Sequence, residues 1–441
     1  MLVDRRDTTG NTVLAGTDIG VFSSTDAGGT WAPYNLGVIP KVPIFDLAQN
    51  YNGLIFAGTH GRGAYQLLPN AVFPPGTFNI TGSMTISHDS AITLSDGRVL
   101  VSQGSDPTTG VPYDTTELYD VSTGSFNAGA DFVSTSDSPD ATRDGATTIL
   151  LPDGRVLFAG GLTEDPTTFN DTVLKSSELY DPKADDFVAT GEMTTPRYTA
   201  PGVLLADGRV LIAGGAGEDS PGAPFHSIIS AEIYDPKTGT FSPTGNMHAH
   251  RYSASLTLLR DGKVLVAGGV DTFVFPTDPT GAEIYDPKTG IFTLLTVTPD
   301  ANDSETNTLL SNGQVLLAGG RDFGGSYLQT AQLYDPLKQT FTSTGNMTTV
   351  RIGHNAVLLI NGKVLIVGGE DANSNTLDSA EVYDPVAGIF TAIKNMNQTR
   401  TGPLIARLRN ELILVAGGAT GPDSSMNYPP LTSRSRRWRE A

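Results

Sequence analysis

Asp371, Asn373 and Asn375 stand at alternate positions, with Glu370 just before them and Asp378 just after. Side-chain oxygens at i, i+2 and i+4 open a D-x-N-x-N calcium loop, because a hard cation gathers several oxygen ligands on one tight turn. The glycine such a loop carries at its sixth position is Thr376 here, so an ordinary Asn/Asp turn is the competing reading. His248-Ala249-His250 also has alternate spacing, which on extended chain aims both imidazoles one way; with His226 upstream they form a candidate transition-metal set. Asp300, Asn302, Asp303 and Glu305 crowd a further spot suited to a cation. His354 is the candidate general base. With calcium on Asp371 and Asn373 polarising a carbonyl, it would activate water against a lactone, ester or glycan. Arg143, Arg197, Arg251, Arg351 and Arg400 recur at regular intervals as candidate ligand-binding cations, and Phe225, Phe273 and Tyr327 as an apolar wall for a sugar ring or acyl chain.

Composition removes several alternatives. The 441 residues include 28 Lys+Arg against 47 Asp+Glu, a net charge of −19, which argues against a phosphate-backbone binder. No Cys is present, so disulfides, cysteine-ligated zinc or iron–sulfur centres and cysteine nucleophiles are excluded. G-x-S-x-G, H-E-x-x-H and G-x-x-x-x-G-K-[ST] motifs are missing, and no flavin or nucleotide cofactor is expected. No apolar run reaches the ~18 residues of a membrane span, so no membrane insertion is expected. The opening MLVDRRDTTG shows no apolar core of a signal peptide, although a parent protein exported to or displayed on a bacterial surface fits the repeats.

The elements that must position these residues come from an internal repeat. RVLVSQG (98–104) returns as RVLFAGG, RVLIAGG, KVLVAGG, QVLLAGG, KVLIVGG and LILVAGG, at spacings of 49 to 57 residues. Between copies lie ELYD (117–120), ELYD, EIYD, EIYD, QLYD and EVYD, and several units end in G-[NE]-M. Each unit reads as four short strands. An apolar strand leads through Asp-Gly or Asn-Gly, a pair that accepts φ > 0 at both positions, into an all-apolar strand suited to a sheet covered on both faces. The Tyr-bearing strand and a D-P-K-T-G turn follow, with the Tyr rings expected between neighbouring sheets. Met84, Met193, Met247, Met347 and Met396 share one repeat position and are read as packing residues.

Four-stranded units of this length, stacked radially, make a β-propeller. Blocks such as DGRVLIAGG (207–215), DGKVLVAGG (261–269) and AEIYDPKTGTF (231–241) resemble the kelch family, specifically bacterial kelch arrays, over residues 76–418. The fold expected is therefore all-β: a seven-bladed kelch-type propeller of four-stranded antiparallel blades over 71–422. GTFNITGSM (76–84) matches the fourth-strand block GTFSPTGNM (239–247), so the last blade is expected to close with strands from both ends of the ring, residues 64–73 being one source of its third strand. Ser24–Trp31 fits S-x-D-x-G-x-T-W and resembles the Asp-box of sialidase-like propellers, which makes residues 1–70 partial, truncated blades. Residues 423–441 read as an irregular basic tail. A copper-radical centre similar to that of galactose oxidase, itself a kelch propeller, needs a Tyr–Cys crosslink this chain lacks.

By this topology one face carries only tight turns, and the other carries the long second-to-third-strand and blade-to-blade loops. His88, His226, His248, His250 and His354 fall on the long-loop face, as do acids after the glycine pairs (Asp106, Asp165, Asp219, Asp271, Asp322, Asp371). The arginines there read either as a charged rim or as Arg–Asp salt bridges tying blades together. Three functions remain. The first is a monomeric, non-catalytic module binding a glycan, small molecule or protein partner on that face. The others are the calcium-assisted hydrolase and a structural spacer of a larger surface protein.

Overall fold

The computed structural model describes the strands within residues 1–75, and residues 76–419 apart from 107–110, 165–170, 218–225, 270–280, 301–305, 323 and 410. The chain divides into two compact units, Met1–Thr77 and Phe78–Ala441. The first unit holds a four-stranded sheet of Leu2–Val3, Val13–Thr17, Gly20–Ser24 and Ala32–Pro33, and a three-stranded sheet of Ile44–Gln49, Ile55–Thr59 and Gly63–Leu67. The tip of the Asp-box-like segment and the basic tail lie outside the described residues.

The second unit contains six four-stranded antiparallel sheets. Blade one is Ser90–Thr93, Val99–Ser102, Glu117–Asp120 and Ser125–Ala128; blade two is Thr147–Leu150, Val156–Ala159, Ser177–Asp181 and Asp186–Ala189. Blades three to six repeat the pattern from inner strands Gly202–Leu204, Ser255–Leu258, Thr306–Leu309 and Asn355–Leu358. A two-stranded hairpin, Leu404–Arg407 with Ile413–Ala416, ends the series. Its inner strand touches those of blades six and one, so the ring closes through it.

The architecture is thus six blades, not the seven four-stranded blades expected. Residues 76–84 do not form a strand, and Gly63–Leu67 pairs with Ile55–Thr59 in its own sheet rather than with the final hairpin. Within GTFNITGSM, Phe78 packs with Ile405, Ile413 and Val415 of the final hairpin and with Val382 of blade six, and the end of the block runs as a blade connector. Gly82 N donates to the Gly124 carbonyl, as Gly191, Gly245 and Gly345 donate to Gly239, Gly290 and Gly388.

The second strand of every full blade is buried at all four positions, as its unbroken apolar run requires. The Tyr rings do pack between sheets: Tyr285 joins Leu211, Ala213 and Ile233 of blade three, and Tyr383 joins Leu310 and Leu316 of blade five. Their hydroxyls meet a threonine of the incoming connector in the pairs Thr81–Tyr119, Thr190–Tyr234, Thr244–Tyr285 and Thr344–Tyr383. Met193, Met247, Met347 and Met396 are buried.

The Asp-Gly turns differ in detail from expectation. Leu94 N donates to Arg98 O and Gly97 N to Leu94 O, and Gly97 alone has positive φ, +100°. The loop is therefore three residues long, a type I turn ending in a left-handed glycine, and the Asp keeps ordinary φ.

Candidate functional site

The recurrent arginines are internal. Arg143, Arg197, Arg251 and Arg351 are at most 1 % exposed, and each reaches the Glu of its own blade's E-x-Y-D strand: Glu178 at 2.8 Å, Glu232 at 3.2 Å, Glu283 at 3.2 Å and Glu381 at 2.9 Å. Each also donates through Nη1 to the first carbonyl of a glycine pair, Gly160, Gly214, Gly268 or Gly368. The Glu takes a backbone N–H from the same connector as well: Val133, Thr194, His248 and Thr348 donate to Glu178, Glu232, Glu283 and Glu381. A buried charge is tolerable only when paired and hydrogen-bonded, and these meet both conditions. Two expectations are corrected. The carboxylate is the Glu of the third strand, not an Asp after the glycine pair, and these four guanidiniums offer no edge to a ligand in solvent.

Blades one and five confirm the logic by exception. In blade one Ile86 stands at the arginine position, and buried His88 lies with Nε2 3.3 Å from Glu117. In blade five both members change together: Asn302 replaces Arg and Gln332 replaces Glu, and Gln332 Oε1 accepts from Asp300 N at 2.8 Å. Asn302, Asp303 and Glu305 themselves lie outside the described residues.

His354 does not serve as a rim base. Its imidazole is buried at the start of blade six's inner strand, with Nε2 3.1 Å from Thr306 Oγ1. Burial, reinforced by the Arg351 charge, drives its pKa down to about 3. So weak a base has little capacity to take a proton from water.

The calcium candidate is a self-bonded hairpin turn. Asp371 Oδ1 accepts from the backbone N–H of Asn373 (2.8 Å) and Asn375 (2.9 Å), and Oδ2 from Asn375 Nδ2 (3.0 Å). Those bonds hold its carboxyl below the usual range against the opposing effect of burial. Asp378 Oδ1 accepts from Asn395 Nδ2. Blade five builds the same turn from Asp322 to Ser326 without the Asn residues, so the geometry needs no cation. Among the three histidines, His248 is spoken for by Glu283, its Nδ1 lying 2.9 Å from Oε2. His226 pairs through its backbone with Gly217, and among the described residues no three His, Asp or Glu side chains form a metal-holding group. Tyr327 is half-buried in the Arg321–Tyr327 hairpin. Phe225 and Phe273 lie outside the described residues.

What the fold does assemble is a cavity of about 360 Å3 on the long-loop face, where the inner strands of blades one to four begin. Asp89, Gln103, Asp144, Thr147, Thr148, Tyr198 and Thr199 line it. Gln103 is buried and joins two blades: its Oε1 accepts from Ala146 N at 2.6 Å and its Nε2 donates to Thr148 Oγ1. Gln103 and Thr199 hold positive φ, +62° and +46°, a cost that the surrounding packing must offset. Gly145, at φ +59°, leaves room for the Tyr198 ring, which a Cβ there would strike. The Asp89 carboxyl is open to the cavity yet enclosed by the blades; that desolvation, with the Asp144 charge, pushes it up to about 7. Asp89 and Asp106 together raise the nearby Tyr113 hydroxyl, after desolvation.

Asp89 was not among the residues singled out from the sequence, although a signal exists. Aligning the units on Leu94, Leu151, Leu205 and Leu259 places Asp89 against Ala146, Ala200 and Ala254. All three alanines border the cavity, and their small side chains leave it open.

Comparison with known proteins agrees with this architecture. The kelch motif model matches residues 353–397. An F-box/kelch-repeat protein of Arabidopsis thaliana is 33% identical over 147 residues, 33% of either chain, so the match spans about a third of that relative's length. Among solved structures, a fungal alcohol oxidase of the AA5 family in complex with copper superposes with TM-score 0.60 at 19% identity, over 80% of this chain and 74% of its own. YjhT superposes with TM-score 0.53 at 15% identity, over 71% and 99%. At such identities the likeness concerns the fold alone. The motif, the relative and six blades of one pattern support a β-propeller of kelch-type repeats. Among the described residues no helix is long and apolar enough to cross a membrane.

Proposed function

We propose that this propeller binds a small, hydroxyl-rich ligand, the size of one or two sugar rings, in the channel-mouth cavity. The observation that carries this reading is the cavity itself: about 360 Å3, within the range of small-molecule sites, and lined by two carboxylates, three threonines and a tyrosine. Carboxylates and hydroxyls accept and donate to sugar hydroxyls, and the rigid inner strands hold them without a loop having to close. The test is calorimetric titration of mono- and oligosaccharides. Ala200→Leu, which fills the cavity, should abolish binding, and Asp89→Asn should weaken it. Binding unchanged in Ala200→Leu would defeat the proposal.

A second reading rests on Asp89 alone. A carboxyl titrating at about 7 beside a second carboxylate is suited to proton transfer near neutral pH, so a glycoside or ester hydrolase using Asp89 as acid is the enzymatic alternative. Turnover of chromogenic glycosides or esters, with a pH limb near 7 lost in Asp89→Asn, would support it.

A further inference from the structure

Charge is segregated between the two ends of the blades. The loops joining second to third strands, residues 103–116, 160–176, 214–230, 268–282, 319–330 and 368–380, hold thirteen Asp or Glu against two Lys or Arg, Lys175 and Arg321. Lys175 pairs with Glu192 at 2.7 Å. On the opposite face Arg98, Arg155, Arg209, Lys263 and Lys363 directly follow the tight turns. Arg143, Arg197, Arg251 and Arg351 do not redress the balance, because each is matched by its own buried Glu. A cleft lined by one sign of charge and walled by low dielectric focuses the field and concentrates ions of the opposite sign.

The cavity lies on that acidic face, and its lining has the same sign. It holds Asp89 and Asp144 and, among the described residues, no Lys, Arg or His. The two carboxyls sense each other: the Asp144 charge adds to desolvation in opposing ionisation of Asp89, and no hydrogen bond or cation among the described residues offsets them. The fold does not call for an acid at this point, since Ala146, Ala200 and Ala254 fill it in the next three blades. Gln103 is a second departure on the same wall. It holds φ +62° where blades two to six carry Gly160, Gly214, Gly268, Gly319 and Gly368, and its amide is locked between Ala146 N and Thr148 Oγ1. Two positions that break the repeat at a structural cost thus meet at one cavity. Thr147, Thr148 and Thr199 bring hydroxyls to it.

We infer that the ligand of this cavity is cationic: a hydroxylated amine of amino-sugar type, its ammonium held by the Asp89 and Asp144 carboxylates and its hydroxyls by the threonines. The inference rests on the cavity being the ligand site and names the class of compound it selects. An ammonium offers three N–H donors, enough to serve both carboxylates, and supplies the positive charge that the lining does not.

The test is calorimetric titration of the whole protein at neutral pH with glucose, galactose and mannose, with their 2-amino-2-deoxy forms, and with the N-acetylated amines as uncharged controls. At least one amine should bind about tenfold more tightly than both of its neutral partners, the gain expected of one charge-assisted pair. Asp89→Ala, which installs the residue of blades two to four, should bring that amine down to the affinity of its neutral partners. Neutral sugars that bind as tightly as their amines overturn this inference and leave the sugar site standing. Absence of binding by every compound overturns both. An advantage of the amine that survives in Asp89→Ala overturns the placement of the ammonium. The matched sugars leave the protein untouched, so a folding defect in the variant does not decide the result.

Discussion

Arg143 and Glu178 meet at 2.8 Å with both side chains sealed from solvent, and the same guanidinium donates to the carbonyls of Gly160 and Ser176. The pair fastens the connector entering blade two to that blade's third strand. Its repetition in blades three, four and six makes it the main polar device of the ring.

Breaking one member of such a pair leaves a buried charge alone. Arg251→Ala or Glu283→Gln should each cost about 3–5 kcal/mol in urea denaturation. The combination Arg251→Asn with Glu283→Gln should cost less than the sum, since blade five carries that combination naturally. Strict additivity would contradict this account of the pair.

Gly245 comes so close to the Gly290 carbonyl that a Cβ on it would lie 2.2 Å from the oxygen, a backbone atom that cannot rotate aside. Gly245→Ala should therefore lower stability by roughly 1–3 kcal/mol, the usual range for overpacking, and should loosen the seam between blades three and four. Hydrogen exchange at Gly245 N, bonded to Gly290 O, would report the seam directly.

Glu411 holds φ +68° at the turn position that Gly97, Gly154, Gly208, Gly262, Gly313 and Gly362 fill in the blades. Left-handed backbone costs a residue with a Cβ about 1–2 kcal/mol, partly offset by the entropy glycine loses. Glu411→Gly is thus expected to raise the melting temperature, and a decrease would refute the argument.

Two groups set opposite pH trends. Asp89, raised to about 7, binds a proton in the folded state that the unfolded chain has released. Its contribution makes stability fall as pH rises from about 4 to about 7. Asp89→Asn should flatten that slope and raise the melting temperature at pH 8. His354, lowered to about 3, is neutral in the fold, while the unfolded chain takes up a proton below about 6.5. Stability is therefore lost as pH falls from about 6.5 towards 3, and His354→Gln should flatten that acid limb. Melting curves at half-unit pH steps for both variants check the two signs.

The parts legible in sequence were those written in short spans. Asp-Gly before VLVAGG, and E-x-Y-D before a glycine turn, encode a strand, its end and the next strand within about twenty residues. Alternation then places the Tyr rings between sheets. The arginine positions were equally visible, but not their partner. Glu178 lies 35 residues from Arg143, and an Asp after the glycine pair was the nearer choice in sequence. In Asp371-Ala-Asn-Ser-Asn ligand oxygens and turn-forming oxygens are the same residue types at the same spacing, so the sequence alone does not choose between a cation loop and a turn; the structure adds the N–H groups of Asn373 and Asn375 on Asp371.

What the sequence alone determined, then, is a ring of repeated antiparallel sheets with its elaborate connections on one face, since periodicity and turn chemistry act locally and recur six times. Tertiary structure decided the rest: that the arginines turn inward to Glu, that His354 is buried out of use, and that a cavity opens beside Asp89 where three neighbouring blades carry alanine. Each of these depends on which surfaces are removed from water when separate blades meet, and burial of that kind is a property of the closed ring rather than of any stretch of chain.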